Sequence, residues 1–295
     1  MSLTSRSHEK SGTEFALDDS VLFSRKTIFR SDMMEGQRVV VTGGGTGIGK
    51  TTAALCARLG ADVAICGRRQ EKLTETAALI NKATGRKVVT RAMSIRDPDV
   101  AKEFIQQVYD ELGGMDVLVN NAGGQFPQDA LDIRPKGWLA VIDTNLNGTW
   151  WMMQAAARAW RDRKQPGSIV NVVAPVERGC PQTAHTMAAR AGVIAASRSV
   201  ALEWAPYNIR VNNLAVAGAT TEGMRQYPEE GRRTMEATNP MKRRTDAFCF
   251  AEALIYMSSP AAEYMTGTVI TIDGGKLMWG TSWPAGRPEY FAGGE

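Results

Sequence analysis

Long apolar runs are missing. No segment of the 295-residue chain is hydrophobic for long enough to cross a bilayer. The N-terminus is polar without an apolar core, so no signal peptide is expected and the cytoplasm is the default compartment. Histidine is scarce, with two residues, and the four cysteines (Cys56, Cys66, Cys180, Cys249) fall at no metal or redox spacing. They read as buried thiols in a reducing compartment, and no metal site is expected. Charge of one sign does not dominate either: 35 basic residues stand against 31 acidic ones, a net of +4. So mild an excess does not argue for nucleic acid and is compatible with an anionic small ligand. Repeats, low-complexity tracts and internal linkers are also lacking. The length and an ordinary 43% hydrophobic content suit one large α/β domain.

What is present centres on residues 38–51, Arg-Val-Val-Val-Thr-Gly-Gly-Gly-Thr-Gly-Ile-Gly-Lys-Thr. A short apolar run ends at Val41, a glycine cluster follows, and a helical pattern opens at Lys50. Such a strand–turn–helix aims the free N–H groups of a helix start at an anion. Glycines are required where the backbone turns tightly against a phosphate. Gly44 to Thr51 fits G-x-x-x-x-G-K-T, the phosphate loop of NTPases, whereas Thr42 to Gly49 fits T-G-x-x-x-G-x-G, a dinucleotide-binding turn. An NTPase also needs an apolar strand ending in an Asp for Mg²⁺. In Met115-Asp116-Val117-Leu118-Val119 the Asp comes before the apolar run, which favours the dinucleotide reading.

Strands are predicted at about 38–42, 62–66, 87–93, 115–119, 168–173, 209–214 and 267–272. Helices are predicted between them, at about 47–59, 69–83, 98–112, 135–162, 186–204 and 246–258. This alternation, with near-continuous apolar strands, implies an α/β fold: a single Rossmann-type doubly wound parallel sheet of about seven strands. Residues 1–35 read as a partly disordered arm in which Val21-Leu22-Phe23 and Ile28-Phe29 are the candidates for pinning it to the body or to a neighbouring subunit, with a flexible tail as the alternative. The domain spans 36–275, with a long basic loop at 216–245 read as a substrate lid and a tail at 276–295. Trp138, Trp150, Trp151 and Trp160 read as core or subunit interface. The second strand ends in Gly67-Arg68-Arg69, about twenty residues past the glycine turn, where the adenosine ribose is read. A carboxylate there would repel a 2′-phosphate. Arg68 and Arg69 can pair with one, which predicts NADP(H) over NAD(H).

The Thr42–Gly49 turn, Asn120-Asn121-Ala122-Gly123, Asp143-Thr144-Asn145-Leu146, Ser168-Ile169-Val170-Asn171, Arg210-Val211-Asn212 and Asp273-Gly274-Gly275 together resemble the short-chain dehydrogenase/reductase family over about 36–275. The resemblance implies a homotetramer and places the cofactor on Gly43, Thr46, Gly47, Ile48, Gly49, Arg68, Arg69, Ser94, Asn121, Ala122, Gly123, Arg190, Ala219 and Thr221. Ser94 stands where an adenine-binding Asp is usual, and Val216-Ala217 where Pro-Gly is usual. The family's Tyr and Lys, in Y-x-x-x-K, fall on Thr186 and Arg190, and its Ser on Ala174 or Val173. Its structural Asn is kept as Asn145.

That replacement bears on chemistry. Reducing a ketone leaves an alkoxide that must be protonated as it forms, normally by a Tyr acidified by a nearby Lys. Thr186 is too weak an acid, and Arg190 does not shuttle a proton. An α,β-unsaturated thioester tolerates the change: hydride adds at Cβ, charge spreads to the thioester oxygen, and that oxygen needs donors rather than an immediate strong acid. The sequence here resembles the peroxisomal trans-2-enoyl-CoA reductases, through Gly123-Gly124-Gln125-Phe126, Lys136-Gly137-Trp138 and His185 to Gly192, and the 2,4-dienoyl-CoA reductases more distantly. Asn145, Thr186, Arg190 and His185 are the catalytic candidates, His185 as a general acid or as a polar residue at the rim. Arg225, Arg232, Arg233, Lys242, Arg243 and Arg244 in the lid are candidate partners for CoA phosphates. The expected reaction is NADPH-dependent reduction of an enoyl-CoA. A dehydrogenase of an alcohol, aldehyde or branched terpenoid acyl-CoA, and a non-catalytic NADP-binding protein, remain as alternatives.

Overall fold

The computed structural model describes residues 12–13, 16–226, 229 and 239–278. Arg232, Arg233, most of the tail and the middle of the expected lid lie outside them.

In the arm, β1 (Gly12–Thr13) pairs antiparallel with β2 (Ala16–Leu17), and the core sheet takes β3 (Arg38–Thr42), β4 (Asp62–Gly67), β5 (Val88–Ala92), β6 (Val117–Asn120), β7 (Gly167–Val173), β8 (Ile209–Val216) and β11 (Val269–Ile272). All seven run parallel in the order β11-β8-β7-β6-β3-β4-β5. The order reverses between β3 and β6, which puts a crevice outside the carboxyl ends of those two strands.

Strand periodicity feeds two cores. Val39 and Val41 face one side of the sheet, with Val63, Ile65, Val117 and Val119. Val40 faces the other, with Ala64, Cys66 and Leu118. The first side is closed by α2 (Gly47–Arg58), α3 (Gln70–Thr84) and α8 (Ala247–Ser258). The second is closed by α4 (Pro98–Leu112), α6 (Gly148–Asp162) and α7 (Ala184–Trp204). Each large apolar side chain buried this way stabilises the fold by about 1.5–3 kcal/mol. Trp160 is wholly buried, packs over Gly167, and donates its indole N–H to the Met115 carbonyl at 2.5 Å. Trp138 instead stays partly exposed, on α5 (Pro135–Ile142).

Local signals explain the ends. Gly85 and Gly113 close α3 and α4 in the left-handed conformation, at φ +70° and +74°. Asp97 caps α4 by accepting from the N–H groups of Asp99 and Val100.

The structure differs from expectation in the long helix and the thiols, and adds detail at the arm and at the base of the lid segment. The predicted helix over 135–162 is interrupted by a π turn, Asp143–Asn147. The part of the arm from residue 16 onward lies on the body. Its short helix α1 (Asp19–Ser24) buries Leu22, Phe23 and Phe29 pack on the same core, and Ile28 points to solvent. Arg58 donates to the carbonyls of Leu22 and Arg25 at 2.8 and 2.7 Å, and Arg25 pairs with Asp246 at 2.5 Å. The base of the lid segment is pinned by a two-residue parallel ladder between β9 (Ala219–Thr220) and β10 (Thr245–Asp246). Finally, not all thiols are buried: Cys180 is exposed and Cys249 partly so, whereas burial pushes Cys56 and Cys66 up to about 12.

Candidate cofactor and active site

A cleft of about 320 Å³ opens at the reversal point of the sheet. Gly43, Thr46, Gly47 and Ile48 form one wall, Arg68 and Arg69 one end, Ser94 the side, and Asn121, Ala122, Gly123 and Thr221 the opposite wall. Thr46 stands at the N-cap of α2 without a side-chain cap bond, so the amides of the first turn are left to the cleft. Gly43 adopts φ +67°, and a Cβ there would come within 2.9 Å of Asn121 Nδ2. Gly49 does not line the cleft. It lies behind the turn, where a Cβ would run into the Gly43 carbonyl, so its role is to let the turn close. Asn121 Nδ2 donates to the Thr42 and Gly43 carbonyls at 3.0 and 3.3 Å, and Thr42 Oγ1 accepts from the amides of Asn121 and Ala122 at 3.0 Å each. These bonds lock the ends of β3 and β6 together.

The chemical end is built by the π turn. Asn145 Oδ1 accepts from Gly124 N–H, and its Nδ2 donates to the Gly124 carbonyl, both at 2.9 Å. The turn also leaves the Asn145 carbonyl approachable: Arg190 Nη1 comes to 3.5 Å and Thr149 Oγ1 donates to it at 3.0 Å. Arg190 projects from α7 against Gly123, where a Cβ would strike the guanidinium. That guanidinium is buried, and burial pushes it down to about 10. No carboxylate pairs with it among the described residues. A buried cation with no carboxylate partner, beside a cleft, fits a polar ligand group that completes it.

Thr186 lies one turn before Arg190 on the same helix and is also buried. The fully buried His185 ring stacks edge-on against Phe126, with centroids 4.6 Å apart. Its Nδ1 accepts the Thr186 amide N–H at 2.8 Å, so that nitrogen carries no proton. Burial holds the ring below its ordinary value, against the pull of the Thr183 and Phe126 backbones. Nε2 is buried without a hydrogen bond of normal geometry. A neutral, locked imidazole does not suit the general-acid role and does suit a wall. Thr186 Oγ1 lies 3.3 Å from the same Nδ1.

Ala219 sits in β9 and does not line the cleft, although Thr221 and Glu222 do. Sequence reading missed Lys72, Arg96, Thr144 and Glu222 as lining residues. Arg96 bridges to Thr144 Oγ1 at 2.7 Å and the Ala140 carbonyl at 2.8 Å, a pairing across more than forty residues that no local pattern signals. Phe126 enters the sequence argument only through the family resemblance. Gly137, where a Cβ would come within 2.9 Å of Phe126, was the available hint that the ring packs there.

A family model described as enoyl-(acyl carrier protein) reductase matches residues 33–276. The chain belongs to the short-chain dehydrogenase/reductase family. Among this family's members, a probable 2,4-dienoyl-CoA reductase of Bacillus subtilis is 36% identical over 250 residues, 83% of this chain and 98% of its own. The peroxisomal 2,4-dienoyl-CoA reductase of Rattus norvegicus is 31% identical over 265 residues, 88% of this chain and 90% of its own. A solved citronellol catabolism dehydrogenase of Pseudomonas aeruginosa is 36% identical and superposes with a TM-score of 0.75, covering 84% of this chain and 98% of its own. Carveol dehydrogenase of Mycobacterium avium in complex with NAD, 26% identical, reaches 0.80, covering 84% and 100%. This dehydrogenase/reductase is thus an oxidoreductase with a nicotinamide cofactor, and no helix among its described residues is long and apolar enough to cross a membrane.

Proposed function

We propose that this enzyme reduces the C2=C3 double bond of an enoyl thioester, of the trans-2-enoyl-CoA type, with NADPH. The observation that carries the reading is the pair Thr186 and Arg190. By the sequence resemblance they fall at the family's Tyr and Lys positions, and both are buried one turn apart on α7. The dienoyl-CoA reductase names of two relatives support the thioester class.

The glycine turn and the uncapped start of α2 would hold the cofactor's pyrophosphate, Arg68 and Arg69 its 2′-phosphate, and Arg190 its nicotinamide ribose. The bound cofactor supplies the hydride. Asn145 holds Gly124, and through it the wall on which the acyl group lies. Thr186 Oγ and the Arg190 guanidinium donate to the thioester oxygen as it gains enolate charge. One such donor in a dry site changes a rate by about 10²–10³-fold. C2 then takes a proton from solvent, and neither residue has to supply it. Phe126 and His185 wall the acyl side and keep water away. Arg225, Lys242, Arg243 and Arg244 are the described lid cations offered to CoA phosphates.

The same reading includes a reducing compartment such as the cytoplasm, supported by four free thiols, and a homotetramer, supported by the exposed apolar Trp138, Leu139 and Leu202. The test is NADPH oxidation with trans-2-enoyl-CoA esters over a range of chain lengths. Turnover is expected, and its absence across the whole range would sink the proposal. A second reading, oxidation of a terpenoid alcohol or reduction of a branched terpenoid acyl-CoA, is favoured by the likeness to the citronellol catabolism dehydrogenase. Turnover of such alcohols with NADP⁺, without turnover of enoyl-CoA, would replace the first.

A further inference from the structure

The described residues lining the cofactor cleft include four cations, Arg68, Arg69, Lys72 and Arg96, and a single carboxylate, Glu222. Arg96 is tied to Thr144 and the Ala140 carbonyl, and Lys72 pairs with Glu75 at 2.8 Å. Arg69 differs: its carboxylate partner, Glu222, is itself part of the cleft wall, with Arg69 Nη2 3.8 Å from Glu222 Oε2. Glu222 opens the turn Glu222–Gln226, two residues after β9, whose pairing with β10 fixes the backbone there. The amide of Met224 closes back on the Thr221 carbonyl at 2.9 Å. The carboxylate is therefore delivered to the cation cluster from the opposite side of the cleft by an anchored loop.

We propose that Glu222 is a specificity-determining residue: it competes with the cofactor's 2′-phosphate for Arg69 and so holds down the preference for the phosphorylated nicotinamide nucleotide. This rests on the NADPH reading. Arg69 and Glu222 meet at 3.8 Å as a charge pair rather than a hydrogen bond, so the competition is electrostatic: a phosphate drawn to the same guanidinium lies close to the carboxylate. A 2′-phosphate brings between one and two further negative charges close to the Glu222 carboxylate, so the phosphorylated cofactor must displace the carboxylate or bear its repulsion. A free 2′-hydroxyl is neutral and meets neither cost. The pair is partly exposed, so its effect is modest and screened by salt.

The test is equilibrium binding of NADPH and NADH to the full chain and to Glu222→Gln, followed by fluorescence or calorimetry at low salt and at about 1 M salt. Glu222 is partly exposed, and a thermal melt of each variant checks that folding is unchanged. For NADPH the variant is expected to bind about three- to tenfold tighter at low salt, with the gain largely gone at high salt, while NADH changes by less than about twofold. In the Arg69→Met background, Glu222→Gln is expected to give a smaller gain, because the competition for the guanidinium is gone and only the direct repulsion of the phosphate remains. Unchanged NADPH affinity, or an equal gain for both nucleotides, overturns the role of Glu222 and leaves the cofactor reading standing. A wild-type chain that binds NADH as tightly as NADPH overturns the cofactor reading itself, and the proposal with it.

Discussion

Replacing Arg190 by Met should make the cofactor-free protein more stable and the enzyme far slower. Met reproduces the aliphatic stem, is shorter at the tip, and removes a buried charge. A fall from 12.5 to about 10 through burial corresponds to about 3 kcal/mol against the charged form in the folded state. The compensation visible in the structure is the long 3.5 Å approach to the Asn145 carbonyl, which returns little. Allowing for that contact and for relaxation of the site, a net gain of about 1–2 kcal/mol is expected, or about 2–6 °C in Tm for a domain of this size. The added stabilisation from saturating NADPH should shrink, and turnover with an enoyl-CoA should fall by about 10²–10³-fold. A thermal melt with and without NADPH reads the first two effects, and steady-state kinetics reads the third. If Arg190→Met melts below wild type without cofactor, the guanidinium is being held by the fold rather than kept for a ligand, and the reasoning fails. Sites that trade stability for chemistry in this way are common in enzymes.

Other expectations follow from the same geometry. Arg68→Met with Arg69→Met should weaken NADPH binding by about 10–100-fold, leaving NADH within a few-fold, as read by titration of both nucleotides. His185 is held below its ordinary 6.5 in the folded state, so the unfolded chain binds the extra proton first and stability should fall as pH drops below about 6.5. His185→Gln should flatten that slope, seen as a smaller difference in Tm between pH about 7.5 and 5.5. Leu22→Ala should cost about 2 kcal/mol in a denaturant melt, because the arm's buried anchor leaves a cavity against the core. A change below a few tenths would mean that the arm is not part of the cooperative unit.

The sheet was legible because each strand is buried on both faces and therefore apolar almost without interruption, as in Val117-Leu118-Val119. Helix ends were legible where a residue type forces them, as at Gly85, Gly113 and Asp97. The glycine cluster fitted two motifs, and the absence of a strand-ending Asp decided between them. What stayed hidden depends on partners distant in sequence. Glu222 meets Arg69 across more than 150 residues, and Arg96 meets Thr144 across 48. In the arm the apolar anchors Leu22, Phe23 and Phe29 were legible as apolar residues in a polar stretch, whereas the carbonyls accepting from Arg58 were not. The π turn at Asp143–Asn147 has no spacing signature, since its residues continue a helical pattern, yet it brings the Asn145 carbonyl to Arg190. By residue type His185 was open between an acid and a rim residue. Its burial, which disfavours the charged ring, is visible only in the fold.

The claim at the centre is that charge left by reduction rests on an oxygen held by Thr186 and Arg190 while carbon waits for its proton. Product analysis after turnover with 4-deuterated NADPH and trans-2-enoyl-CoA in ordinary water tests it most directly. The expected product is a saturated acyl thioester with deuterium at C3 and a solvent hydrogen at C2. Deuterium on a carbinol carbon, from reduction of a carbonyl instead, would contradict it.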